Sequence, residues 1–148
     1  MQERYLFKAK RTDNGEWVVG NLITNVFFRL GQSISYILCP DKADYDCFED
    51  FSEENGIFEV QPDTICQCTA MPDKNKKLVF EHDIVWDSDE RTFYEIIWNQ
   101  EDMCWNVKDS DGYKSNFEEC YGSTIEVNGN SFDNPELLEV NCFQNGNS

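Results

Sequence analysis

The chain carries few positive charges. Its 148 residues include 12 Lys and Arg against 29 Asp and Glu, which gives a formal net charge of -17. Direct nucleic-acid binding is disfavoured, because cationic side chains must displace the counterions of the phosphates. Excess carboxylate keeps a protein soluble. The alternative interpretation is an acidic surface aimed at a basic partner, for example a DNA-binding protein whose phosphate contacts the carboxylates imitate.

Long apolar runs are also lacking. The first ten residues (MQERYLFKAK) contain no continuous apolar stretch of the kind found in a secretory signal. No segment reaches the roughly 18 apolar residues of a membrane-spanning helix. The seven Cys are odd in number. These features predict free thiols in a reducing cytoplasm, with no membrane partner and no disulfide framework.

Residues that could form a catalytic or metal site are scarce. Cys66 and Cys68 could share one face of a strand, but a second ligand pair is missing, so two buried apolar thiols are the simpler interpretation. His82 is the single histidine. It lies between Glu81 and Asp83 without an orienting partner that the sequence indicates, which favours an exposed turn.

Three further acids follow this histidine: Asp87, Asp89 and Glu90. Clustered carboxylates can perform acid–base chemistry or bind divalent cations, but the spacing of a calcium loop is missing. A solvated turn is therefore the simpler interpretation. The sequence predicts no catalytic residue, no metal, no cofactor and no enzymatic activity.

Alternation of apolar and polar residues with period two predicts a mainly β fold, either all-β or β-rich α+β. A hairpin is predicted across residues 4–24, with its turn at Asp13-Asn14-Gly15. A helical turn is predicted over 115–121, and a short helix begins with Asn134 as N-cap and Pro135 as first residue. Further strands are predicted at 26–28, 33–38, 57–60, 64–69, 78–80, 84–86, 91–99, 103–108 and 123–127.

The four tryptophans lie in these predicted strands, and the core of a barrel is their expected location. They are Trp17, Trp86, Trp98 and Trp105.

The segment 41–54 (DKADYDCFEDFSEE) combines acids with aromatic residues at three-residue spacing. It fits either a short amphipathic helix or a solvated loop. Carboxylates steer a basic partner and aromatics bury against it, so this segment is the candidate protein-interaction surface; an insertion without a partner is the competing interpretation. The candidate residues are Asp44, Tyr45, Asp46, Phe48, Glu49, Asp50, Phe51, Glu53 and Glu54.

Three motifs resemble those of the YopX family of phage and prophage proteins. Residues 15–22 (GEWVVGNL) are similar to its early W-V-x-G-D-L hairpin. Residues 60–85, with VQPDTICQCT, DKN and FEHDIV, are similar to V-x-P-x-T-V-G-Q-Y-T, D-K-N-G and Y-E-G-D-I-V. Residues 125–138, with IEVNGN and NPELL, are similar to I-E-V-I-G-N and D-N-P-E-L-L. The order and spacing agree over nearly the whole chain.

The departures concern family glycines, which are replaced here by Cys66, Ala70, Lys76 and His82. Because glycine takes positive φ without cost, tight positive-φ turns are not expected at these positions.

The sequence predicts an N-terminal β lobe over 1–60, with the acidic insertion 41–54, and a C-terminal lobe over 61–148. The resemblance implies a mostly β fold whose C-terminal part is similar to an SH3-type barrel. It implies a phage or prophage origin, location in the cytoplasm of a bacterial host, and no assigned catalytic residues. The favoured function is a non-enzymatic accessory protein that binds a host or phage protein; self-association stays open. The alternatives are a small metal-dependent enzyme using clustered carboxylates and a nucleic-acid-binding barrel with Lys8, Lys10, Arg11, Lys74, Lys76 and Lys77 as its basic patches.

Overall fold

The computed structural model describes residues 5–29, 32–39 and 56–139. Within these ranges the chain forms eleven strands, two short 3-10 helices and one helical turn over 136–139. The strands are β1 Leu6–Lys10, β2 Trp17–Arg29, β3 Gln32–Leu38, β4 Ile57–Val60, β5 Cys66–Pro72, β6 Leu78–Phe80, β7 Asp83–Asp87, β8 Thr92–Asn99, β9 Cys104–Lys108, β10 Lys114–Asn116 and β11 Ile125–Asn130. The 3-10 helices are Pro62–Thr64 and Glu119–Ser123. The predicted mainly β class is confirmed, whereas the SH3-type barrel stays a prediction.

The chain divides into two compact units, residues 1–68 and 69–148. The division falls inside β5, eight residues beyond the boundary at residue 60 that the sequence suggests. In the first unit the strands neighbour one another in the order β4-β3-β2-β1-β5. Antiparallel pairing of β1 with β2 confirms the predicted hairpin, and Lys10 lies opposite Trp17.

Gly20 shows why the first motif requires a glycine. A Cβ at this position would collide with the backbone carbonyl of Leu38 on the neighbouring strand. The same strand, β2, continues through 26–28, so these residues do not form the separate strand that the sequence predicts. A register irregularity between Ile23 and Phe27 accompanies this long strand.

The first unit buries a cluster of small and branched apolar side chains. The members with the lowest exposure come from β1, β2, β3 and β4, since alternate residues of each strand face the same side. This cluster consists of Ala9, Val18, Ile37, Cys39, Phe58 and Val60.

In the second unit, β6 neighbours the end of β5, and a five-stranded antiparallel sheet has the order β10-β9-β8-β7-β11. The central position of β8 agrees with its two partly apolar faces. The core cluster of this unit consists of Val79, Val85, Ile96, Val107 and Ile125. The helical turn predicted over 115–121 is partly wrong, because β10 extends through Asn116 and the 3-10 helix begins only at Glu119.

Two buried aspartates of the second unit hold turns rather than facing solvent. Asp73 is 3% exposed; its Oδ1 accepts the amides of Asn75 and Lys77 at 2.8 and 2.9 Å, and its Oδ2 accepts the amide of Val127 at 3.0 Å. Asp83 is 1% exposed and its Oδ2 accepts the amide of Phe80 at 2.8 Å. Buried carboxylates persist only with such partners.

Positive φ angles persist at three of the four positions where the family has glycine. They are 66° at Ala70, 67° at Lys76 and 69° at His82. The expectation that these turns would be lost is therefore wrong for these residues. At Lys76 and His82 hydrogen bonds accompany the turn geometry, from the Lys76 amide to the Asp73 carbonyl and from the His82 amide to the Ile96 carbonyl. A side chain held at positive φ stores backbone strain of about 1–2 kcal/mol.

Candidate functional site

His82 and Glu95 form a hydrogen-bonded pair of ionisable side chains in the second unit. His82 occupies the turn between β6 and β7, where its backbone amide donates to the carbonyl of Ile96 at 2.7 Å. This bond brings the imidazole beside β8, and His82 Nδ1 lies 2.9 Å from Glu95 Oε2. Ser131 donates its amide to the His82 carbonyl at 2.9 Å, and the ring of Phe132 meets the imidazole edge-on at 5.5 Å.

His82 lies in the turn that the sequence predicts, but it is half-buried. The expectation of an exposed histidine without an orienting partner is therefore wrong. One signal for the partner was available: Glu95 interrupts the apolar run of β8, and a charged residue in a central strand needs a counter-charge when it is buried. Glu95 is 9% exposed. The sequence could not identify His82 as that counter-charge, because thirteen residues separate them.

The electrostatics of the pair favour the charged form of both groups. The hydrogen bond to Glu95 raises the pKa of His82 above its ordinary 6.5, although burial opposes it; Glu81 adds to the rise. Burial alone would raise the pKa of Glu95, but the bond from His82 and the charge of Lys108 outweigh it and lower the pKa. Lys108 Nζ lies 3.8 Å from Glu95 Oε1.

A cavity of about 390 Å³ opens beside Glu95 and Lys108. Its size falls within the range of small-molecule pockets. The walls come from the β9–β10 turn and from the end of the helical turn. The lining residues are Glu95, Lys108, Asp109, Ser110, Asp111, Gly112, Leu138 and Glu139.

The second acidic cluster is only partly the solvated turn that the sequence predicts. Asp89 and Glu90 are exposed, but Asp87 is buried, and its Oδ1 accepts the Asp89 amide at 2.9 Å. Together with Tyr121, the three acids line a depression of about 200 Å³. Within the described ranges, no group of three or more His, Cys, Asp or Glu side chains has the arrangement of a metal site.

Cys66 and Cys68 are fully buried on one face of β5, while Gln67 between them is exposed. The predicted alternation of this strand is thus confirmed. The Cys66 thiol donates to the carbonyl of Thr64 at 3.2 Å.

Three cations of the predicted basic patches have partners inside the protein. Lys8 and Lys10 lie over the indole ring of Trp17, at 4.9 and 5.5 Å from its centroid. Arg11 pairs with Asp13 at 2.6 Å.

The turn between β8 and β9 is a further feature of the second unit. We call Trp98, Glu101, Asp102 and Met103 the hairpin-tip surface. Trp98 is 38% exposed and Met103 is 65% exposed, so Trp98 does not have the core location expected from the sequence. Glu101 and Asp102 are exposed beside them.

The candidate interaction residues from Asp44 to Glu54 lie outside the described residues. Within the described residues, no helix has the length and apolar composition needed to cross a membrane.

In the second unit, three polar residues of the motifs hold the backbone in place by accepting hydrogen bonds from amides. Asp73 and Asp83 accept amides, as described above, and Asn134 accepts the amide of Asn130 through its side-chain oxygen at 3.3 Å. The Asn134 side chain therefore bonds to β11. As the predicted N-cap, it was expected to bond to the helix that follows. A Cβ on Gly129 would collide with this Asn134 side chain.

The comparisons with known proteins agree with these motifs. No curated protein has significant sequence similarity to the chain. The family model described as YopX protein matches residues 6–139, which is most of the 148-residue chain. The chain therefore belongs to the YopX protein family.

Proposed function

We propose that this protein is a non-enzymatic accessory protein of a phage or prophage, and that it acts by binding another protein through its acidic surface. The observation that carries the proposal is the use of the polar motif residues. Asp73, Asp83 and Asn134 accept hydrogen bonds from backbone amides of the same chain. A motif built for catalysis would instead present such groups to a substrate.

The charge distribution supports association with a basic partner. Arg11, Lys74 and Lys108 each lie within 4 Å of an acid of the same chain. Each of these pairs also neutralises one acid, so the chain keeps its full excess of acidic over basic side chains, a net charge of -17. The negative electrostatic field of such a chain accelerates its encounter with a cationic protein and makes the association sensitive to salt.

The test is affinity capture from host lysate at low and high salt. We expect a retained basic protein at low salt and weaker retention at high salt. Retention of no protein at any ionic strength would contradict the proposal.

A matched pair of variants tests whether the acidic segment is the site. One variant neutralises six of its acids to the corresponding amides and keeps the aromatics: Asp44, Asp46, Glu49, Asp50, Glu53 and Glu54. The control neutralises six acids outside that segment, all exposed: Glu16, Asp63, Asp89, Glu90, Glu118 and Glu136. Selective loss in the first variant assigns binding to the segment, and equal loss assigns it to overall charge.

The competing function is a small metal-dependent enzyme, which one observation favours. Asp87, Asp89 and Glu90 line a common depression, although their side chains do not have the arrangement of a metal site. Metal analysis of the purified protein and its melting temperature with added Mg²⁺, Ca²⁺ or Zn²⁺ decide between the two functions. Absence of both bound metal and a melting shift would remove the enzyme hypothesis.

A further inference from the structure

The hairpin-tip surface presents large apolar side chains that are held in place. The Trp98 indole Nε1 donates to Gln100 Oε1 at 2.9 Å, and Gln100 Nε2 donates to Met103 Sδ at 3.5 Å. Trp98 and Trp105 are opposite one another on β8 and β9, and their rings make a T-shaped contact at 5.1 Å. A fixed, partly exposed tryptophan gives contact area without the entropic cost of ordering it on binding.

Met103 has a backbone conformation that its side chain does not favour. Its φ is 54°, in the left-handed region, which glycine and asparagine adopt at a lower energetic cost than other residues. The methionine is also the most exposed apolar residue of this surface. Neither folding energetics nor solubility favours an exposed methionine at such a position, and strained residues concentrate at binding sites. Methionine adapts its shape to a partner's surface.

The charges at the tip have one sign. Between Ile96 and Val107 the only charged residues are Glu101 and Asp102. The turn is rigid, because Asn99 Oδ1 accepts the amides of both acids at 3.1 Å. An apolar centre with an acidic rim matches a cationic group that can also stack on an aromatic ring.

We propose that the hairpin-tip surface docks an arginine-bearing basic segment of a partner protein. The guanidinium stacks on Trp98 while Glu101 and Asp102 accept its N–H groups, and Met103 packs against the aliphatic part of the segment. Arginine fits better than lysine, because the guanidinium is planar, weakly hydrated and able to donate to two carboxylates. This inference rests on the proposed protein-binding function and places a binding site within the described residues.

The experiment uses nona-arginine and nona-lysine peptides as probes of equal charge. Binding to the full chain is measured by titration, together with the indole N–H resonances of the four tryptophans. We expect nona-arginine to bind about threefold or more tightly than nona-lysine and to shift the Trp98 resonance most. The difference should persist when salt weakens both affinities.

Two variants separate a binding role from a structural role. Met103→Gly relieves backbone strain, so it should raise stability while weakening nona-arginine binding about threefold. The double variant Glu101→Gln/Asp102→Asn should also weaken binding, by about threefold. Its control is Asp89→Asn/Glu90→Gln, which removes the same charge from the β7–β8 turn, where Arg91 also has positive φ.

Each outcome decides the inference. Tight nona-arginine binding that neither variant weakens relative to the control overturns the docking site and leaves salt-dependent association intact. Absence of binding to either peptide at low salt overturns the docking site and counts against a basic partner. If Met103→Gly lowers self-association in sedimentation experiments instead, the surface joins two copies of the chain and the inference is wrong.

Discussion

Lys76 and Gly112 occupy equivalent positions in two turns that are built alike. In each turn an aspartate accepts the amides two and four residues ahead, from Asn75 and Lys77 to Asp73 and from Asp111 and Tyr113 to Asp109. The fourth residue of each turn has positive φ, 67° for Lys76 and 92° for Gly112. The same hydrogen bonds therefore impose the same backbone on a lysine and on a glycine.

This equivalence predicts opposite effects of exchanging the two residue types. Lys76→Gly should raise the free energy of unfolding by about 1 kcal/mol, because it removes the strain of a side chain at positive φ. Gly112→Lys should lower it by about 1 kcal/mol for backbone reasons alone, since a Cβ at this position would meet no atom within 4 Å. Urea denaturation measures both changes. Two changes of the same sign would contradict the equivalence.

The aspartates of these turns should differ in importance. Asp73→Ala should destabilise the protein by about 3 kcal/mol, because it removes bonds to three amides from a buried site. Asp109 accepts two amides and is less buried. Asp109→Ala should therefore cost about 1 kcal/mol. Equal losses in urea denaturation would show that the third bond, which joins Asp73 to Val127, contributes nothing.

The His82–Glu95 pair predicts a window of pH for its contribution to stability. Since the folded pKa of His82 is raised, its contribution is complete below about 6.5 and is lost as pH rises through the folded value. Since the folded pKa of Glu95 is lowered, its contribution is present above about 4.5 and is lost as pH falls through the folded value. The pair should thus contribute most between these limits, by less than about 1 kcal/mol because solvent screens it.

One variant isolates this effect. His82→Asn removes the imidazole and keeps a residue that tolerates positive φ, so stability should lose the pH dependence of the pair. Because His82 is the single histidine, proton NMR titration reads its pKa directly. We expect a value above 6.5 that falls in Glu95→Gln. A value at or below 6.5 in the unmutated protein would contradict the observed pairing.

The thiols should react in an order set by burial. Cys66 and Cys68 are fully buried, whereas Cys104 is half-exposed. Alkylation of the native protein should therefore modify Cys104 before Cys66 and Cys68, and reach the β5 pair only when the first unit opens. Mass spectrometry of peptides from a time course measures the order. Simultaneous modification of all three would contradict the burial of Cys66 and Cys68.

The sequence predicted features that arise within a strand or a turn. Alternation placed Cys66 and Cys68 on the buried face of β5, and the Asp13-Asn14-Gly15 turn located the first hairpin. Prediction from the sequence failed where segments distant in the chain determine the surroundings of a side chain. The four tryptophans look alike as strand residues, but the exposure of Trp98 depends on which neighbours cover the end of β8. The candidate segment 41–54 lies outside the described residues and stays a prediction.

The sequence by itself determined the mainly β class, the family and the acidic charge, because period-two alternation, ordered motifs and composition are all properties of the chain. Only the tertiary structure decided the roles of particular side chains. Ala70, Lys76 and His82 take positive φ angles that their side chains oppose. For His82, the bond from its amide to the Ile96 carbonyl on β8 is a contact that only the folded chain provides. Strand pairing across the sheet brings His82 to Glu95 and Trp98 to Trp105, since such contacts depend on register and not on the residue types alone.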